Sequence, residues 1–169
     1  MYHRNSQART GSYSSLLRGR RPFARAELRG SAEYPTISGT VEFYSTPMGV
    51  VVSAEVSDLP YDKDAPCAPQ IYGFHIHNAG KCTGSAEEPF SDAGAHFSKN
   101  ECPHPSHSGD LPPLFGNEGY AWCAFLTGRF SPEDIMGRAV IVHSAPDDLK
   151  TDPSGNSGKR IACGVIVGA

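Results

Sequence analysis

No stretch of the 169-residue chain approaches the ~18 consecutive apolar residues of a membrane-spanning helix, so a transmembrane reading is excluded. No 3.6-residue hydrophobic period persists for ten residues either, which argues against a helical bundle. Only a turn at Ser131-Pro-Glu-Asp134 has helical character. Cysteine is sparse. Five thiols are too few for a disulfide scaffold, and an odd number leaves at least one unpaired or bonded elsewhere. The first 25 residues contain no acid, and their only apolar pair is Leu16-Leu17. A secretory signal needs an apolar region of roughly 7–15 residues, so the expectation is a cytoplasmic protein without an export signal.

What is present is unevenly charged. Residues 1–25 carry six arginines (Arg4, Arg9, Arg18, Arg20, Arg21 and Arg25), whereas the rest has nine basic and eighteen acidic residues, a balance of −9. We read 1–21 as a basic, disordered tail ending at Pro22, and 22–169 as one domain of ordinary size. An alternative is a metal-binding or polyanion-binding module with the arginine tail as its functional part. The acidic domain would repel nucleic acid, so no nucleic-acid partner is expected.

From Phe23 onward the period is two. Phe23–Arg29, Thr40–Tyr44, Val50–Ser57, Ile71–His77, Tyr120–Leu126, Ala139–His143 and Ile161–Val167 read as short strands bounded by Gly, Pro or Asp. Eighteen glycines and fourteen prolines supply the turns. Seven or eight such strands predict an all-β antiparallel sandwich or barrel. The connections 78–119 and 144–159 are too long for hairpins, and long loops in a compact domain usually carry function.

Six of the seven histidines fall in or beside those two loops. His75 and His77 alternate along one strand, so both rings leave the same face with Cα atoms roughly 6.6 Å apart, while Phe74 and Ile76 point into a core. His143 closes another strand. Imidazole-only coordination by His75, His77 and His143 suits copper, a redox metal at the top of the affinity order for nitrogen ligands. His96, His104, His107 and Asp110 would complete a zinc tetrahedron with no open position, a structural site. The bland reading is a His-rich surface loop that scavenges metals loosely. Against it, Leu111-Pro-Pro-Leu114 would anchor that loop to the core. Cys102, between His96 and His104, is not needed as a thiolate ligand. Cys123 reads as a small core residue. Cys67 either pairs with Cys102 or stays free, and Tyr120 and Trp122 read as core cover.

Gly73-Phe-His-Ile-His77, Gly94-Ala-His-Phe97, His107-Ser-Gly-Asp-Leu111, Val140-Ile-Val-His143 and the segment Gly155–Ile166 together resemble the copper/zinc superoxide dismutase family. The match runs in order through about residues 23–168. It implies an eight-stranded antiparallel Greek-key β-sandwich or barrel with two long functional loops. It implies copper on His75, His77, His96 and His143, and zinc on His96, His104, His107 and Asp110, with His96 bridging the two ions. Also implied are a Cys82–Cys163 disulfide, an anion-guiding Arg160, and Asp147 linking one ligand of each metal. Lys150 and Lys159 stand in the same loop as that arginine. The activity implied is dismutation of superoxide anion to O2 and hydrogen peroxide, and a homodimer is compatible with the sequence. Only two residues separate His104 from His107, fewer than in animal-type members and closer to the bacterial type. The second loop likewise lacks the acidic pair of the animal enzymes.

Overall fold

The computed structural model describes residues 19–65 and 67–169. The expectation of a disordered basic tail, and with it the inference of a cytoplasmic location, falls mostly on residues 1–18, outside the described residues. No helix among the described residues is long and apolar enough to cross a membrane.

Alternation in the sequence becomes nine strands: β1 (Ala24–Gly30), β2 (Ser38–Thr46), β3 (Gly49–Ser57), β4 (Ile71–Tyr72), β5 (Phe74–His77), β6 (Leu114–Asn117), β7 (Tyr120–Thr127), β8 (Ala139–His143) and β9 (Arg160–Gly168). All pairings are antiparallel, in the order β4-β6-β7-β3-β2-β1-β9-β8-β5. The two ends of that order, β4 and β5, are consecutive in the chain and separated only by Gly73, so the sheet nearly closes into a barrel. Sequence neighbours β3 and β4 are kept apart by the β6–β7 hairpin, a Greek-key connection.

Two strand assignments differ from expectation. The strand read as Ile71–His77 breaks at Gly73, whose N–H donates to Ala145 O (2.9 Å) and whose carbonyl accepts from His143 N (2.8 Å). A Cβ there would lie 2.7 Å from Ser157 Cβ and 3.2 Å from His143 Cβ, so only glycine lets the second long loop settle against the barrel. Counted as one interrupted strand, β4 and β5 restore the expected eight. β6 lies inside the segment read as loop, because four residues are too few to show a period. The turn at Ser131 is a short helix, α1 (Pro132–Ile135), with Ser131 and Asp134 forming a reciprocal capping box.

The barrel interior is filled by alternate residues, including Leu28, Val41, Phe43, Val52, Phe74, Ile76, Val140, Val142 and Ile166. Full burial of side chains of this size is worth roughly 1.5–3 kcal/mol each. Leu111 and Leu114 join this core, anchoring the first long loop as expected. A second, smaller cluster of Ala93, Ala139, Ile141 and Cys163 lies on the other face of β8, with Cys82 and Phe90 against it. Tyr120 and Trp122 depart from expectation: they are 41% and 57% exposed. Their strand turns the other alternates inward, Ala121 into the core and Cys123 and Phe125 against it.

Candidate metal centre

His75 and His77 on β5 lie opposite Ile141 and Ala139 on β8, and His143 ends β8, so all three imidazoles leave the barrel on one face. The first long loop then runs along the free edge of β5. Ile76 N donates to Gly109 O (2.9 Å), Phe97 N to Ile76 O (2.8 Å) and Asn78 N to Ala95 O (2.9 Å). Bridges His77↔His96 and His75↔Asp110 result. A strand edge that would otherwise leave backbone groups unpaired thus delivers His96 and Asp110 beside the β5 pair.

Two clusters of ligand atoms form, each with its atoms within 4.8 Å of one another. One contains His75, His77, His96 and His143; the other contains His96, His104, His107 and Asp110. His96 belongs to both. Every residue read from the sequence as a metal ligand is therefore present in one cluster or the other, and Cys102 is in neither. Cys67, Cys102 and Cys123 are free, so no Cys67–Cys102 bridge exists.

The hydrogen bonds determine which nitrogen faces inward. His77 Nδ1 donates to Gly94 O (2.9 Å) and His143 Nδ1 faces Gly158 O (3.4 Å). Their Nε2 lone pairs are left opposed at 3.3 Å, a repulsive arrangement unless a cation lies between them. His75 Nε2 and His104 Nε2 donate to the two oxygens of one carboxylate, Asp147 Oδ2 (2.8 Å) and Oδ1 (2.9 Å). His75 Nδ1 and His96 Nε2 are buried with no hydrogen-bond partner. Such orphaned acceptors are costly to bury, and both belong to the all-imidazole cluster. In the second cluster three Nδ1 atoms converge on Asp110: His96 at 2.8 Å, His107 at 3.1 Å and His104 at 3.2 Å. The His104 contact lacks hydrogen-bond alignment, leaving its Nδ1 also without a partner. These donor sets suit two cations, one held by imidazoles alone and one by three imidazoles and a carboxylate.

Electrostatics favour the same state. Burial pushes His77 and His143 well below the ordinary imidazole value, and neighbouring rings push the same way. Burial lowers His96 to about 4 against the opposing hydrogen bond to Asp110. Neutral rings with free lone pairs are what metal coordination requires. Burial would raise Asp147, but hydrogen bonds from His75, Leu149 N–H and His104 outweigh it and hold the carboxyl well below the usual range. Burial likewise opposes, without prevailing over, the imidazoles that lower Asp110.

Asp147 and Asp148 are adjacent in the sequence but separate clearly in the structure. Asp147 is buried between the two clusters, while exposed Asp148 accepts from Lys150 N, Thr151 N and Asn156 Nδ2 and orders the loop. Gly155 presses against the Asp147 linkage with φ +65°, and a Cβ there would meet Asp147 Oδ1 at 2.0 Å. Cys82 and Cys163 are disulfide-bonded with Cα atoms 5.6 Å apart. Arg160, at the start of the same strand as Cys163, donates to Phe90 O (2.6 Å) and Gly94 O (2.7 Å). It lines a cavity of about 400 Å³ with His77, His96, His143, Pro153 and Ser154. Lys159 is instead paired with Glu33 at 3.0 Å.

The match to known proteins follows this geometry. A family model described as copper/zinc superoxide dismutase matches residues 37–166. The chain belongs to the copper/zinc superoxide dismutase family. It is 34% identical over 163 residues to the Cu-Zn superoxide dismutase of Deinococcus radiodurans, covering 86% of this chain and 84% of that relative. Cu-Zn superoxide dismutase 1 of Aquifex aeolicus is 32% identical over 143 residues, covering 76% of this chain and 79% of the relative. The structure of the Cu/Zn superoxide dismutase from Brucella abortus superposes with a TM-score of 0.70 at 26% identity, covering 84% of this chain and 98% of that one. Copper and zinc are the cofactors that membership of this dismutase family implies, and the two histidine clusters fit both.

Two residues at this site lay outside the sequence reading. Arg129 reaches the backbone of the first loop from the turn after β7. Arg138 stacks over Phe97, 3.8 Å from the ring centroid, and donates to Asn78 O at 2.7 Å. Neither sits in a motif, and an arginine that binds backbone carbonyls leaves no pattern in one sequence.

Proposed function

We propose that residues 22–169 form a catalytic domain that converts two superoxide anions and two protons into O2 and hydrogen peroxide. The observation that carries this reading is the double membership of His96, with Nδ1 toward Asp110 and a buried, unpartnered Nε2 toward the all-imidazole cluster. His75, His77, His96 and His143 would hold copper, and His96, His104, His107 and Asp110 would hold zinc. Bound copper supplies the one-electron couple, and bound zinc supplies fixed charge that orders the loop.

The residues divide the remaining work. His96 Nε2 holds and releases a proton between half-reactions, while Nδ1 stays committed to the zinc side. Asp147 fixes the tautomers of His75 and His104, one ligand of each metal. Arg160 spends two N–H groups on Phe90 O and Gly94 O, which anchors its head at the cavity wall beside His77, His96 and His143. A guanidinium stays charged and offers planar donors to a small anion. That local charge matters because the domain is acidic overall.

The test is metal analysis together with a dismutation assay on protein reconstituted with both ions. About one copper and one zinc per chain with rapid turnover is expected. Stoichiometric metal without turnover would leave only a metal-storage module. A second copy of the chain is the partner we assign to the outer face of β6 and β7. There Phe115, Trp122 and Leu126 are 66%, 57% and 40% exposed. Light scattering should give a dimer mass that Trp122→Glu reduces to a monomer.

A further inference from the structure

Arg129 lies in the turn between β7 and α1, outside every motif that carries the family resemblance. Its Nη1 donates to three backbone carbonyls of one loop: Pro105 O at 2.9 Å, His107 O at 3.1 Å and Asp110 O at 3.2 Å. A guanidinium nitrogen of this kind carries two hydrogens, so three acceptors share them. Hydrogen bonds with an ionised donor are roughly twice as strong as neutral ones.

The three carbonyls are placed where they matter. His107 and Asp110 belong to the second cluster, and Pro105 directly follows its third imidazole, His104. The His107 N–H donates to Asp110 Oδ2 at 2.9 Å and so orients the carboxylate. The Pro105 and His107 carbonyls lie in the peptide planes on either side of that N–H. Fixing them fixes its direction. The anchor is itself well founded, since Arg129 follows β7, a strand paired with β3 along most of its length. By contrast His75, His77 and His143 are held by strands β5 and β8 and make no contact with Arg129 among their hydrogen bonds.

We propose that Arg129 is a positioning residue of the zinc site, clamping the His104–Asp110 turn at ligand spacing and so setting how long zinc is retained. This rests on reading the second cluster as the zinc site. The clamp acts through the backbone, so it needs the donors of Arg129 and not merely its bulk. Arg129 lines an apolar cavity of about 490 Å³ with Leu111, Pro113, Phe125, Leu126 and Leu149. Methionine would keep an unbranched side chain there and remove every donor. Lysine would keep the charge on a shorter stem and restore part of the contact.

The experiment uses the full chain loaded with copper and zinc, and a second preparation with cobalt(II) in place of zinc. Zinc transfer to a chromogenic chelator, the cobalt absorption bands, copper content and melting of the metal-free protein are measured for wild type, Arg129→Met and Arg129→Lys. Arg129→Met should release zinc about 10-fold faster and alter the cobalt bands. Its copper content and metal-free melting should match wild type, and Arg129→Lys should fall between. Wild-type zinc release and cobalt bands in Arg129→Met would overturn the clamp. So would equal loss of both metals with a lowered metal-free melting temperature, which marks a general packing role. A wild type that takes up neither zinc nor cobalt would instead overturn the zinc-site reading on which the clamp depends.

Discussion

Replacing Asp147 by asparagine tests the linkage between the two clusters at one atom. The carboxylate accepts from His75 Nε2 through Oδ2 at 2.8 Å and from His104 Nε2 through Oδ1 at 2.9 Å, while Leu149 N–H adds a third bond to Oδ1 at 2.7 Å. Asparagine has the same shape, so it spares the close approach of Gly155. It offers one acceptor and presents an NH2 group to the other ring, so one Nε2–H loses its partner and faces a donor. The two rings are not equally free to respond. His75 sits on β5 with Phe74 and Ile76 locked in the core on either side, whereas His104 sits in a loop outside every strand. The amide oxygen keeps the Oδ1 position, where it serves both His104 Nε2–H and Leu149 N–H, so its NH2 is driven off the fixed His75 ring and the loop carrying His104 gives way with it; zinc is the metal that suffers. Loss of a partner behind a ligand costs 10–100-fold in metal affinity, about 1.4–2.7 kcal/mol. Zinc affinity should fall within that range and copper affinity by less than about 10-fold. Chelator competition with both metals quantified by mass spectrometry reads both numbers. Unchanged zinc affinity, or copper lost before zinc, would refute the reasoning.

Three further outcomes follow from the same geometry. His143→Ala removes a ligand from the all-imidazole cluster alone, so it should lose copper and all dismutation yet retain zinc; full turnover in that variant excludes the copper assignment. Cys82→Ser opens a covalent loop spanning 81 residues, and the chain-entropy estimate for that length is about 4.5 kcal/mol. Denaturant titration without reductant should show most of that loss, and a midpoint equal to wild type would contradict it. Arg160→Glu should slow turnover at least ~10-fold with metal content intact and flatten or invert the salt dependence; a wild-type rate and salt profile would show that the anion is drawn in by other charges.

The chemistry was more legible in the sequence than the architecture around it. His75 and His77 are two apart in a strand, and a two-residue period obliges both rings onto one face, so half of a metal site can be read from spacing alone. His96 and Asp110 could be named but not placed, because nothing in one sequence says that their loop pairs with the β5 edge. Gly73 looked like an ordinary residue of a strand, and its role appears only when Ser157 and His143 are seen packed against its bare Cα. Tyr120 and Trp122 failed for a different reason. Alternation separates two faces but does not say which is inside. Here the large aromatics lie outside while Ala121 is buried and Cys123 partly so, a reversal of the usual hydrophobic ranking.

The Cys82–Cys163 bond encloses His96, His104, His107, Asp110, His143, Asp147 and Arg160 within one covalent ring, leaving only His75 and His77 outside on β5. Any constraint the ring places on the five of these that belong to the two clusters would be felt by bound ions, and thermodynamic reciprocity requires the ions to return it. Whatever factor oxidation adds to metal affinity, metal loading adds to the resistance of the disulfide toward reduction. The loaded protein can therefore keep its cross-link in surroundings that would reduce the empty one. The supply of metal and the supply of oxidant act as two effectors of a single maturation equilibrium.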